Sequence, residues 1–406
     1  MKIRKIISLL ILLATVISLS SCVFYSTVSD LTNTPQQQIP VGDVNVTVEE
    51  VKNNNITINS TESASEAAAA KALLSSVSIQ TSVASGSGVI YKLSEDKSVA
   101  YILTNYHVLY DPSTHRISKK IAVFLYGMES YLYNKSTPNY GISAEYVGGS
   151  LKYDLAIIKI RGSEILMNSN ATQCEIADSN KVGILETAIA VGNAAGDGIS
   201  ATMGKINVDS ETISILGADE RTALSMRVMR TDAAVNSGNS GGGLFNSEGE
   251  LIGIVNAKSS SSTTDNIGYA IPSNVAKYIA ENILYYCDGK SYEHPYKCML
   301  GITVAVSELY TEYDETTGNL YRKERVVVQT IPETTAAAYG TLKAGDVINS
   351  ITIDGVVYEV TRTFHVIDAM LNARVTSSVV INVTRGTEKL DLTVKLKNSD
   401  IVNADS

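Results

Sequence analysis

Asn236-Ser237-Gly238-Asn239-Ser240-Gly241-Gly242-Gly243 stands between two strand-like runs, 226–232 and 251–257. Its glycines permit a tight turn that can aim successive backbone N–H groups at one point. No Gly-Lys-Ser/Thr ending follows, so the turn is not a phosphate-binding loop. Working outward, from Ser76 the neighbouring sequence is a series of short β runs split by Gly, Ser and Asn: VSIQTSVA (77–84), then GVIYKL, VAYILTNYHVL, IAVFLY, LAIIKI, AIAVG, LIGIVNA and IGYAI. Many short strands with no long helix between them predict an all-β barrel or sandwich.

From Pro272 to Tyr286 the pattern turns helical, with Val275, Ile279 and Ile283 on one face. The segment 287–298 then reads as a hinge. Beyond it, 299–398 reads as a smaller α+β unit: strand VVVQTI, the turn at Lys343-Ala344-Gly345-Asp346, strand VINSITI, a hairpin at Asp354-Gly355, helix TFHVIDAMLNA, and strands VVINVT and LDLTVKL. Residues 399–406 read as a tail.

A length of 406 residues at about 150 per domain gives two to three domains. Charged residues are 18% and hydrophobic ones 44%, a globular composition. The 33 Lys and Arg are outnumbered by 42 Asp and Glu, for a net charge of −9, and no long cationic run occurs; nucleic acid is therefore not expected as a partner.

Lys2, Arg4 and Lys5 precede an apolar run from Ile6 to Leu19, the pattern of a secretory signal peptide. As a helix the run reaches about 21 Å, short of the ~30 Å hydrocarbon core. Leu19-Ser20-Ser21-Cys22 resembles the bacterial lipobox, which implies a signal peptide of 1–21 and a lipid-modified Cys22 holding the chain to a bilayer. Residues 22–75 have the composition of a polar tether, with a short helix at 61–74 capped by Thr61. Cys287 and Cys298 lie where an extracytoplasmic chain can form a disulfide, and the hinge carries an optional staple. With His294 they fall one ligand short of a usual metal site, so no metal is expected.

A serine hydroxyl needs a base within hydrogen-bond reach to act as a nucleophile. Of four histidines, only His107 ends a strongly apolar strand of the β domain. Asp154 opens another apolar strand, where a carboxylate without a donor is costly. The order His107, Asp154, Ser240 is that of the chymotrypsin template, and Gly238 and Ser240 amides are placed to hold an oxyanion.

At these residues the chain resembles the HtrA-type (Deg-type) serine proteases. The matching pieces are Gly86-Ser87-Gly88-Val89-Ile90, Ile102-Leu103-Thr104-Asn105-Tyr106-His107-Val108 and Asp154-Leu155-Ala156-Ile157-Ile158-Lys159-Ile160. They continue with Val191-Gly192-Asn193, Thr231-Asp232-Ala233-Ala234-Val235-Asn236, Gly238-Asn239-Ser240-Gly241-Gly242 and Gly268-Tyr269-Ala270-Ile271-Pro272-Ser273. The resemblance covers 76–286 and implies a trypsin-like double β-barrel, mainly β, with His107 as base, Asp154 as its orienting partner and Ser240 as nucleophile. It also implies an oxyanion hole of Gly238, Asn239 and Ser240, and homotrimers. In such an architecture Ala233, Ala234 and Val235, with Ile254, Val255 and Asn256, wall the substrate pocket, which implies small or medium aliphatic side chains before the cut.

The second unit resembles a PDZ module. Met299-Leu300-Gly301-Ile302 looks like its carboxylate-binding loop, Leu342-Lys343-Ala344-Gly345-Asp346-Val347-Ile348 like its most recognisable stretch, and 363–373 like the helix beside its peptide groove. The expected partners are unfolded proteins as substrates and peptide C-termini at the PDZ-like groove, without metal or organic cofactor. Two departures stand out: Ser237 and Gly243 occupy positions where the family usually has Pro, which softens the Ser240 turn. The alternative expectation is a peptide-binding chaperone or scaffold lipoprotein that cleaves little.

Overall fold

Runs of apolar residues bounded by turns build β1 (Ser76–Thr81), β2 (Ser85–Leu93), β3 (Val99–Thr104), the short pair β4 (Tyr110–Asp111) and β5 (Arg116–Ile117), β6 (Ile121–Leu125), β7 (Ile142–Ser143), β8 (Glu145–Ser150) and β9 (Leu155–Arg161). The structure, a computed structural model, describes residues 64–128, 141–196, 198–257, 267–290, 292, 294–332 and 334–406. The expected signal peptide, Cys22, the Thr61 cap and nearly all of the tether lie outside the described residues. No helix among those described is long and apolar enough to cross a membrane.

Seven of these strands form an antiparallel sheet in the order β7-β6-β1-β2-β3-β9-β8. The following strands, β10 (Thr187–Gly192), β11 (Ser200–Leu216), β12 (Ala223–Thr231), β13 (Gly243–Phe245), β14 (Leu251–Val255) and β15 (Gly268–Pro272), close into a barrel in the order β10-β11-β12-β15-β14-β13. The expectation of two barrels is thus met by one closed barrel and one open sheet among the described residues. A shared core joins them: Val89, Leu103 and Ile157 from the sheet meet Val191, Val228 and Phe245 from the barrel.

Three short helices punctuate this region, and a longer one follows it: α1 (Ala64–Leu74), α2 (Tyr106–Leu109), α3 (Glu164–Met167) and α4 (Ser273–Tyr286). Val275, Ile279 and Ile283 of α4 are buried together, as their spacing requires. The helix α1, expected within the tether, instead buries Ala68 and Ala72 in the same core. His107 is expected at the end of a strand; β3 stops at Thr104 and His107 sits on the single turn of α2.

The second unit contains β16 (Tyr296–Cys298), β17 (Thr303–Asp314), β18 (Asn319–Thr330), β19 (Val347–Ile353), β20 (Val356–Glu359), α5 (Phe364–Met370), β21 (Val379–Arg385), β22 (Glu388–Val394) and β23 (Ile401–Asn403). Its sheet runs β17-β18-β19-β21-β22, with β20 paired to β19, over a core that includes Val326, Ile351, Val366, Met370 and Ile381. Asp354 (φ 50°) and Gly355 (φ 86°) make the expected tight hairpin, both in the left-handed region that such a turn demands. Residues 399–406, expected as a tail, contain β23, which pairs with β16 at the end of the hinge. Cys287 and Cys298 are both buried free thiols.

The two parts of the described chain meet through α5. Asp368 pairs with Arg227 on β12, and Arg362 bridges Asp209 on β11 (3.1 Å) and Glu324 on β18 (3.3 Å). The Phe364 ring lies between both guanidinium groups, 3.9 Å from that of Arg227 and 5.0 Å from that of Arg362. Asn282 of α4 donates to the Leu371 carbonyl at 2.6 Å.

Candidate active site

Asp154 occupies the junction between β8 and β9 with φ 50°, a conformation that costs a non-glycine residue about 1 kcal/mol or more. Its surroundings hold it there. The Asp154 carbonyl accepts from Asn105 Nδ2 at 2.9 Å and from the Tyr106 amide at 3.2 Å. The side chain, nearly fully buried, faces α2: Oδ1 accepts from the His107 amide at 2.9 Å, and Oδ2 lies 2.6 Å from His107 Nδ1. Oδ2 also accepts from Asn256 Nδ2 at 2.9 Å. Among the described residues His107 is its only ionic partner. Three donors converge on this one buried carboxylate and fix the imidazole so that Nε2 points away from Asp154.

Ser240 lies on the glycine-rich turn between β12 and β13. Hydrogen bonds knit that turn to both sheets: Ser87 N donates to Ser240 O (2.8 Å), Ser87 Oγ to Gly238 O (2.7 Å) and Gly241 N to Val255 O (3.0 Å). Ser87, in the expected Gly-Ser-Gly stretch, is the hub, and it also accepts from the Asn193 amide at 2.8 Å. Gly238 has φ 97°, and a Cβ there would stand 2.1 Å from Asn193 O; only glycine fits. The Asn239 amide is engaged with Asn236 O at 3.0 Å, whereas among the described residues the Gly238 and Ser240 amides make no hydrogen bond. The three residues expected as an oxyanion hole therefore differ: Gly238 and Ser240 have free donors, and Asn239 has not.

The Ser240 turn abuts the segment that carries His107. A Cβ on Gly241 would meet Asn105 N at 2.9 Å, and one on Gly86 would meet both Val108 and Ser240 O. Among the described residues no hydrogen bond joins Ser240 Oγ to His107. Such bonds are commonly long in unliganded enzymes and tighten around substrate. Gly243, one of the two departures from the family pattern, has a physical reason: a Cβ there would stand 2.2 Å from the Phe245 ring, which is fully buried.

The residues expected to wall a substrate pocket are divided. Ile254 packs in the core shared by sheet and barrel, Val255 and Ala233 in the barrel core, and Asn256 turns to Asp154. Ala234 is exposed and Val235 partly so. The role of Asn256 escaped sequence reasoning; its signal was an amide ending a buried apolar strand, which needs a polar partner. Asp232, the nearest acid before Ser240, accepts from the Lys205 amide at 2.5 Å.

The loop Met299-Leu300-Gly301-Ile302 lines a cavity of about 480 Å³ together with Val366 and Met370. Its opposite wall comes from Tyr153, Met226 and Arg227. Gly301 has φ 70°, and the Leu300 carbonyl accepts from the Ala338 amide at 3.1 Å. The expected carboxylate loop thus faces a space bounded by both parts of the chain.

Comparison with known proteins agrees with this arrangement. A trypsin-like peptidase domain model matches residues 86–254, and a PDZ domain model matches 298–396. Serine protease Do-like HtrA of Bacillus subtilis (strain 168) is 32% identical over 274 residues, 66% of this chain and 54% of its own length. The chain therefore spans about half of that relative. Serine protease Do-like HtrA of Lactobacillus helveticus is 31% identical over 324 residues, 77% of this chain and 68% of that protein. A solved structure of the HtrA-type protease AlgW with a tripeptide is 27% identical, with a TM-score of 0.50, covering 82% of this chain and 96% of that one. A mainly β, trypsin-like domain is followed by a PDZ domain, and the chain belongs to the Do-like HtrA family of serine proteases.

Proposed function

We propose that the protein is an extracytoplasmic serine endopeptidase that cleaves unfolded or misfolded proteins, is anchored to a bilayer through lipid on Cys22, and binds peptide C-termini in its PDZ domain. The observation that carries the enzymatic reading is the 2.6 Å contact between His107 Nδ1 and Asp154 Oδ2, beside a turn whose Gly238 and Ser240 amides make no hydrogen bond among the described residues.

Ser240 Oγ attacks the scissile carbonyl carbon while its proton passes to His107 Nε2. Asp154 holds the imidazole with Nδ1 protonated and stabilises the imidazolium that forms. Gly238 and Ser240 amides bear the oxyanion of the tetrahedral intermediate. Collapse expels the amine, which takes the proton from His107. Water, deprotonated by His107, then releases the acyl group. The residue before the cut is small or medium aliphatic: the exposed wall is Ala234 and Val235, and Asp232 is engaged elsewhere.

One observation favours the alternative of a peptide-binding scaffold that cleaves little, namely that among the described residues no hydrogen bond joins Ser240 Oγ to His107. Degradation of denatured casein decides. The purified protein is expected to cleave it and Ser240→Ala to leave it intact; equal cleavage by both sinks the triad, and no cleavage by either supports the scaffold. Cys22→Ser is expected to leave the membrane fraction, and its retention after carbonate washing would refute the lipid anchor.

A further inference from the structure

The segment after β22 returns to the trypsin-like domain. β23 pairs with β16, and just beyond it Ala404 is fully buried. Asp405 then reaches the turn that ends in Asp154. Ser150 Oγ donates to Asp405 Oδ1, and the Leu151 and Lys152 amides approach the same carboxylate at 3.3 Å each. Lys152 Nζ donates to the Ser406 carbonyl oxygen at 2.6 Å, and Lys297 Nζ donates to those of Ala404 (3.1 Å) and Ser406 (2.8 Å).

The Ser150 hydroxyl does two things at once. It donates its one proton to Asp405 and accepts from the Tyr153 amide at 3.2 Å. A hydroxyl proton rotates to suit its surroundings, so the Asp405 carboxylate is what turns a lone pair of Ser150 toward Tyr153. Tyr153 immediately precedes Asp154, whose φ of 50° must be held by its neighbours. The Asp154 amide closes the same turn on Leu151 O at 3.3 Å.

We infer that Asp405 is a positioning residue for the reaction: through Ser150 and the Leu151 and Lys152 amides it fixes the turn that presents Asp154 to His107. The inference rests on the triad reading above. It makes the segment after the PDZ sheet a functional part of the protease, because the turn and its clamp lie 255 positions apart in the chain.

The test uses the full chain, a short chromogenic peptide substrate, and the low-field proton NMR resonance of a histidine Nδ1–H bonded to a carboxylate. Asp405→Ala is expected to lower kcat about 10-fold or more with KM within about twofold, because small misplacements of a reacting group are costly. The same variant is expected to shift or broaden the low-field resonance, including in a Ser240→Ala background. Asp405→Asn keeps an acceptor for Ser150 and is expected to recover most of kcat. Ser150→Ala, which approaches the same contact from the other side and serves if Asp405→Ala does not fold, is expected to match the Asp405→Ala loss. The Asp405→Ala/Ser150→Ala double variant is expected to be no worse than either single one. A wild-type resonance and wild-type kcat in Asp405→Ala, or losses that multiply in the double variant, overturn the inference. Hydrolysis that survives Ser240→Ala overturns the triad instead, whatever Asp405 does.

Discussion

Asn256 donates to the same oxygen of Asp154, at 2.9 Å, that His107 Nδ1 engages at 2.6 Å. The amide and the imidazole thus share one acceptor on a carboxylate that is nearly fully buried. Removing the amide leaves a buried carboxylate short of a donor, a loss of about 1–3 kcal/mol. Asn256→Leu is expected to reduce kcat/KM by about 10- to 100-fold while the chain stays folded, and Asn256→Ser to retain more activity than Asn256→Leu. Equal activity of the wild type and Asn256→Leu would show that His107 alone orders Asp154.

The backbone at Gly238 tests the oxyanion assignment without touching a side chain of the triad. With φ 97° and Asn193 O in the place of a Cβ, Gly238→Ala must shift the peptide that carries the free amide. Loss of one such donor costs about 10²- to 10³-fold in kcat. Steady-state kinetics is expected to show that loss in kcat with KM little changed; a loss confined to KM would place the amide in ground-state binding.

His365 makes folding sensitive to acid. Burial, reinforced by Arg227, Arg362 and Lys323, pushes its pKa from 6.5 down to about 3, and its Nδ1 accepts from the Thr361 amide at 3.1 Å. Between pH 6.5 and 3 the unfolded chain therefore takes up a proton that the folded chain refuses, and stability falls as pH drops through that window. The slope from this group is at most about 1.4 kcal/mol per pH unit. Urea midpoints from pH 7 to 4.5 are expected to fall less steeply for His365→Gln than for the wild type; parallel curves would contradict the assignment.

Much of this molecule was legible in the sequence because its chemistry sits where strands begin and end. Strands such as 155–158 and 251–255 are continuous apolar runs, since both of their faces are buried, and the glycine pattern around Ser240 marks a turn that other backbone approaches closely. The long strands β11 and β17 were not legible. Most of their residues are exposed or half-exposed on both faces, so no alternation betrays them. β23 was missed because three residues among polar neighbours carry no period, and its partner β16 is supplied from about a hundred positions earlier. Asn256 reads as a pocket wall because the trypsin-like resemblance puts the strand after the nucleophile there; which way its amide points depends on Asp154, which no local pattern brings near. The ion pairs of Arg227 and Arg362 were invisible for the same reason, as each unites residues distant in the chain.

The central claim is that Ser240 is a nucleophile activated by His107 and Asp154. A serine-directed fluorophosphonate, followed by mass spectrometry of the digested protein, reads this directly and needs no knowledge of the natural substrate. The account predicts a single phosphonyl adduct on Ser240, absent in Ser240→Ala and slowed at least about 100-fold in His107→Ala, as expected for loss of the general base. An unlabelled wild type, or labelling equally fast without His107, would contradict it.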